Sequence, residues 1–261
     1  MERGSAGPLA NVLAWSVLLF LMLPITVVFP LSLTDQRFLS LPYETISFQH
    51  YITFFTSERW LSSTAQSLVI AILSTALAVV AGTLCAIGCW RLPGRATDLV
   101  RMLMLLPIIV PSIVYALGIY RFWIRLDLLD TYLGVTIVHG VTGIPYVVIT
   151  VSAALANFDP RLEQAARSLG ADLGQTLRWV ILPRVMPGIA SGAIFAFVHS
   201  WDEAVLILFI ASRALFTLPR RMWDGIQENL DPVMAVAASV MILLTILLLA
   251  ADLWLRRETK R

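Results

Sequence analysis

Six long apolar blocks decide most of what this chain can fold into. They run roughly over residues 9–33, 61–90, 100–124, 132–156, 188–211 and 233–255. At 1.5 Å per residue, about 20 helical residues cross a hydrocarbon core of about 30 Å, so each block is long enough to span a bilayer. Lipid offers no partner for backbone N–H and C=O groups, so such spans are helices. The expected fold is an all-α polytopic membrane protein with six transmembrane helices, forming one membrane domain over residues 1–261. Composition agrees: 14% of residues are charged, against about a quarter in a soluble domain. Pro107, Pro111 and Pro145 fall inside blocks and predict kinks there. Internal repeats, linkers and low-complexity segments are not apparent.

The first block follows Arg3, is too long for a typical signal-peptide core and lacks a clear small-x-small cleavage site. It reads as a retained first helix. Cys85 and Cys89, four apart within one block, read as core packing rather than a metal site. Lys260 is the sole lysine. That excludes a phosphate-binding G-x-x-x-x-G-K-[ST] loop and a buried Schiff-base lysine, so any nucleotide chemistry falls to a partner. The net charge is only +2 and no basic stripe interleaves with aromatics, so nucleic acid is not an expected ligand.

Arginine placement orients the spans. Arg3, Arg91, Arg95, Arg101, Arg161, Arg167, Arg178, Arg184, Arg256, Arg257, Lys260 and Arg261 put twelve cations on one side. Arg37, Arg59, Arg121, Arg125, Arg213, Arg220 and Arg221 put seven on the other. The positive-inside rule then places both termini in the cytoplasm, which fits an even number of spans. Trp60, Trp223 and Tyr132 lie near span ends and read as interfacial anchors.

The longest cytoplasmic connection is 157–187, NFDPRLEQAARSLGADLGQTLRWVILPRVMP. Asp159 is a good N-cap, with Pro160 at the first helical position. Leu162, Ala165, Ala166 and Leu169 then recur at helical spacing as one apolar face. Gly170 suits a left-handed stop. Asp172 with Gln175 predicts a capping box for a second helix, which Pro183 is expected to end. Two short amphipathic helices joined at a glycine turn result. By local physics they are either a docking element for a soluble partner or a connection lying along the bilayer.

Gln164-Ala165-Ala166, three residues, Gly170, nine residues, then Val180-Ile181-Leu182-Pro183 resembles the EAA loop of ABC-importer permease subunits. The spacing is kept throughout. Gln164 stands where that family usually has Glu, with Glu163 next door, and Val180 stands where it has Ile. The H-S-W-D-E-A-V and T-L-P-R-R-M-W-D segments are similar to the spermidine/putrescine-type branch. The resemblance implies a type I importer transmembrane domain in a bacterial inner membrane. It implies as partners a second permease subunit, favoured to be a distinct homologue, and two ATPases that bind ATP and Mg. A periplasmic binding protein would deliver the substrate. It also implies coupling duties, not catalytic ones, for Glu163, Gln164, Ala165, Ala166, Gly170, Leu182 and Pro183.

Asp202 and Glu203 are the informative residues outside that loop. Counted from Gly188 they lie about 15 residues into the fifth block, or ~21 Å at helical rise, past mid-membrane. An acid there costs about 2.5–3.5 kcal/mol on insertion scales, so it faces a cavity, a partner or a ligand. A carboxylate lining the pathway suits a cation such as a polyamine. An inter-helix hydrogen bond, or a span with a shorter outer end, is the bland alternative. Trp201 and His199 flank the pair as candidate pathway residues, although a membrane histidine is also often hydrogen-bonded structure. Asp127, Asp130, Asp224, Glu228 and Asp231 make the outer loops acidic, either solvated or meeting a basic rim on a binding protein.

Two rival functions compete with this reading. An ion-gradient carrier is favoured by His199, Asp202 and Glu203, but inverted repeats are missing. An intramembrane hydrolase lacks both a G-x-S-x-G elbow and an H-E-x-x-H pair.

Overall fold

The computed structural model describes residues 8–92, 94–211, 213–228 and 230–258. Arg3, Lys260 and Arg261, used in the charge count, lie outside these residues. All regular structure among the described residues is helical. In chain order the helices are α1 (Pro8–Ser32), α2 (Gln49–Thr56), α3 (Glu58–Arg91), α4 (Arg95–Ile109), α5 (Ser112–Arg125) and α6 (Tyr132–Ala156). Then come α7 (Pro160–Ser168), α8 (Leu173–Thr176), α9 (Leu182–Asp202), α10 (Val205–Ile210), α11 (Leu218–Glu228) and α12 (Val233–Glu258).

Five stretches are long and apolar enough to cross a membrane: Leu9–Ser32, Glu58–Arg91, Tyr132–Ala156, Leu173–Asp202 and Val233–Trp254. The pair α4 and α5, bent by 108°, makes the sixth if taken as one broken span. Pro111 causes that break. A residue before proline is pushed out of the helical region, and Val110 is accordingly extended (φ −80°, ψ 127°). Pro107 and Pro145, by contrast, sit inside helices that run on past them.

Two expectations about the fifth span are corrected. Pro183 does not end the second helix of the 157–187 loop. Residues 177–181 form a π-turn in which the Leu182 amide bonds the Leu177 carbonyl, five residues back. The wide turn shifts the ladder just where proline would leave a carbonyl unpaired, and the helix continues into α9. The span is also displaced toward the N-terminus. Its helix ends at Asp202 instead of running to Ala211, and Glu203 is extended (φ −74°, ψ 111°) before the short α10. Asp202 and Glu203 therefore mark the end of a 30-residue stretch, not a point inside an unbroken helix.

By their contacts the described residues divide into two compact units, one holding those up to Leu61 with Met222–Leu244, the other those of Ser62–Arg221 with those from Thr245 on. In the first unit, α1 exposes apolar side chains all round, as suits a helix bathed in lipid. The 33–48 connection folds on its own polar groups. Ser32 meets the Tyr51 hydroxyl at 2.8 Å, and the Asp35 carboxylate accepts the Tyr43 amide at 3.0 Å.

The second unit is centred on α6, packed antiparallel to α9. The close approach comes from a G-x-x-x-G pair, Gly188 and Gly192, one turn apart on α9. A Cβ on Gly188 would lie 2.9 Å from the Thr150 carbonyl oxygen, and one on Gly192 would lie 2.9 Å from the Val147 Cα. Lipid-soluble helices gain little from hydrophobic burial, so small residues that let backbones approach supply the packing.

Candidate functional site

Where α9 ends, an open cavity of about 280 Å³ is lined by Tyr146 of α6 and by Phe195, Val198, His199, Asp202 and Glu203. The registry of α6 on α9 builds it. His199 Nε2 bonds the Thr142 hydroxyl at 3.0 Å, and the Tyr146 ring lies over the imidazole, centroids 5.1 Å apart. Beneath them is a buried polar relay. The Ser74 hydroxyl donates to Ser200 Oγ at 3.0 Å, and Ser200 in turn meets His139 Nδ1 at 2.9 Å. Here α3, α6 and α9 are stitched together by groups that lipid could not satisfy.

The two acids read together in the sequence have different duties. Glu203 Oε1 accepts the amides of Val205 (2.8 Å) and Leu206 (3.1 Å), while Oε2 accepts the Ser112 hydroxyl at 3.3 Å. It holds the first two amides of α10 and ties that helix to the first residue of α5. Asp202 is exposed and makes no hydrogen bond or ion pair among the described residues, so its carboxylate is the one left to the cavity. Trp201 is 1% exposed, stacks on Phe197 and does not line the cavity. Tyr146, Phe195, Val198 and the His139–Ser200 pair escape a reading by sequence spacing, because only the α6–α9 registry brings them here.

Two of the acids read as solvated or partner-facing instead hold backbone amides of this chain. Asp130 sits at φ 57°, and its carboxylate accepts the amides of Arg213, Ala214 and Leu215. Asp231 accepts the Val233 amide at the start of α12. Among the described residues no group of three or more His, Cys, Asp or Glu side chains is placed to hold a metal ion.

The 157–187 loop forms largely as its residues dictate. Asp159 accepts the Arg161 amide at 2.9 Å, and Pro160 opens α7. Gly170 (φ +90°) closes α7, with Ala171 N bonded to the Ala166 carbonyl and Gly170 N to that of Arg167. This is the six-to-one and five-to-two pattern of a Schellman stop. The Asp172–Gln175 capping box is present in both directions, at 2.8 and 3.0 Å. Gln164, Ala165 and Pro183 are exposed, and Ala166 and Leu182 half-buried. Leu169, Leu173 and Trp179 are 89, 60 and 70% exposed, an apolar surface that this chain does not cover. Glu163 is instead engaged within the chain, in an ion pair with Arg91 at 3.0 Å.

Residues 78–261 match the family described as binding-protein-dependent transport system inner membrane component. The chain belongs to that family. It is thus a permease subunit of an ABC importer, a transport component and not an enzyme, and the carrier and hydrolase readings fall away. The permease is 26% identical over 250 residues to a spermidine/putrescine transport system permease protein, PotC, of Haemophilus influenzae, covering 96% of this chain and 97% of that one. It is 28% identical over 230 residues to a trehalose transport system permease protein, SugB, of Mycobacterium tuberculosis, covering 86% and 84%. Among solved structures, a bacterial ABC transporter that imports the acidic polysaccharide alginate has a similar fold. Its TM-score is 0.69 at 16% identity, over 97% of the permease and 94% of that chain. The MetNI methionine ABC transporter, in an inward-facing conformation, gives a TM-score of 0.67 at 19% identity, over 79% and 100%.

Proposed function

We propose that the permease forms half of an import pathway for a small cation of the polyamine class, with Asp202 as the carboxylate that meets it. The observation that carries this is the division of labour at the end of α9. Glu203 is occupied by α10 and Ser112, whereas Asp202 faces the cavity beside Tyr146 and Phe195 with its charge uncompensated. A cation with a flexible apolar stem suits an acid flanked by aromatic faces. The spermidine/putrescine permeases among its relatives support the same class.

In this reading both termini face the cytoplasm, and the 157–187 loop meets an ATPase through Gln164, Ala165, Ala166, Gly170, Leu182 and Pro183. The surface at Leu169, Leu173 and Trp179 is apolar and not covered by this chain, and membership of the binding-protein-dependent transport family favours a soluble partner there over a connection lying along the bilayer. The full assembly has a second, homologous but distinct permease, two ATPases that bind ATP and Mg, and a periplasmic binding protein.

The test is purification through a C-terminal tag in mild detergent, with identification of the chains that come with it. Vesicles holding that complex and its binding protein are then assayed for spermidine uptake. Recovery of an ATPase and ATP-dependent spermidine uptake support the reading. Uptake of a neutral sugar or an anion in place of spermidine would overturn the substrate class, and a permease that purifies without an ATPase would overturn the docking assignment.

A further inference from the structure

The coupling loop is joined to two membrane helices, not one. Through the π-turn it runs unbroken into α9. Its other end is gripped by the last two residues of α3. Trp90 packs edge-on against Phe158, centroids 5.6 Å apart with planes at 89°. Arg91 Nη2 donates to Glu163 Oε1 at 3.0 Å, and each side chain is about one-fifth exposed, at 19 and 20%. The aromatic contact and the ion pair bracket Asp159 and Pro160, the cap that begins α7. Half-buried, hydrogen-bonded pairs of this kind are less screened by solvent than pairs on an open surface.

We infer that Arg91 and Glu163 are positioning residues that make α3 a second output of the coupling loop, so that a displacement of α7 moves α3 as well as α9. The inference rests on the reading that this loop docks the ATPase, and it assigns Glu163 to its own chain, leaving Gln164 to face the partner. A coupling path needs a physically joined element that both ends bias. Here the joint is two side-chain contacts on adjacent residues of α3. It also explains why a carboxylate one position before Gln164 cannot stand in for a partner-facing Glu: a step of one residue turns about 100° around the helix, and that step points Glu163 at Arg91.

The test is amide hydrogen exchange on the whole ATPase–permease complex, nucleotide-free against trapped with ATP and vanadate. In the unmodified complex, trapping is expected to change exchange in peptides from the loop into α9 and from the end of α3. In Glu163→Gln the ATPase still co-purifies and the α9 change persists, while the α3 change falls by about twofold or more, as for contacting residues in one network. Arg91→Gln, made from the other side of the pair, gives the same result. The reversed pair, R91E with E163R, restores the α3 change. An α3 response that persists in both single variants would overturn the tether, as would a reversed pair that restores nothing. Loss of the ATPase from Glu163→Gln would overturn it too, by making Glu163 a partner contact. An unmodified complex in which the loop itself shows no response would instead overturn the docking assignment beneath it.

Discussion

The Ser112 hydroxyl donates to the Glu203 carboxylate across 3.3 Å, and each residue stands at the point where its own span is broken. Ser112 opens α5 after the 108° bend at Val110–Pro111, and Glu203 separates α9 from α10. One acid thereby fixes the ends of two helices that pack on each other through Ala116, Leu206 and Ile207.

That geometry separates the neighbouring acids by experiment. Glu203→Ala takes the acceptor away from the first two amides of α10 and is expected to cost about 1–3 kcal/mol, the range for amides left without a partner. It should appear as a lower melting temperature of the purified permease. Asp202→Asn touches no hydrogen bond and should leave that temperature unchanged. It should weaken uptake of a dication more than that of a neutral solute. Equal effects on both solutes would make Asp202 structural.

A second prediction concerns the α6–α9 seam. Gly192→Ala would drive a methyl to within 2.9 Å of the Val147 Cα, backbone that cannot rotate aside. Overpacking of this kind costs about 1–3 kcal/mol. Gly88→Ala is the control, because a Cβ there meets nothing within 4 Å and alanine is the better helix former. Thermal unfolding in detergent should show loss for the first and none for the second.

What could be read from sequence follows the range of the interactions. The 132–156 span, the Asp159 cap, the Gly170 stop and the Asp172–Gln175 box depend on residues within a few positions of each other, and all are found as expected. The end of α9 was not legible, because no glycine or proline marks it. The Glu203 side chain turns back onto the α10 amides, and Ser112, which holds it there, is 91 residues away. Pro183 misled for the opposite reason. It is a strong local stop signal, overridden by a π-turn that the five residues before it adopt. The charge pair Asp202–Glu203 looked like one feature in a linear reading. Only their hydrogen-bond partners tell the free acid from the structural one.

The polar relay yields a third prediction. His139 is 1% exposed, and its Nδ1 has the Ser200 hydroxyl as partner. Ser200→Ala leaves that nitrogen without this partner in a membrane core, a penalty of about 1–3 kcal/mol. Ser200→Thr keeps the hydroxyl and should retain most of the stability. A melting temperature that Ser200→Ala leaves unmoved would show the relay to be energetically idle.

The 33–48 connection carries a pH dependence whose sign is fixed by its geometry. The Tyr43 amide, donating to Asp35 at 3.0 Å, is the main influence holding that carboxyl below the usual carboxylate range. A depressed folded value means that the clasp is fully formed above the ordinary carboxylate pKa of about 3.9. It is lost only as pH falls through the lower folded value. The protection factor of the Tyr43 amide should therefore be flat from neutral pH down to that region and drop below it. In Asp35→Asn the drop should vanish. A drop centred near pH 6 would assign the clasp to another group.

Gly170 offers the sharpest test of the loop because its backbone and its surroundings make separate demands. At φ +90° it lies where side chains rarely go, yet a Cβ there would meet nothing within 4 Å of its own chain. Any substitution cost within the permease is thus conformational, about 1 kcal/mol for alanine. Asn and Asp are the side chains that best tolerate the left-handed region. Gly170→Asn should consequently keep the turn. Gly170→Asp should keep it too, but it sets a charge on the surface shared with the exposed Leu169 and Leu173. The expected outcome is normal membrane insertion for both variants, with ATPase capture and ATP-driven uptake abolished in Gly170→Asp. Normal uptake from Gly170→Asp would remove the loop from the docking surface, because the open space beside Gly170 would then be facing solvent and nothing else.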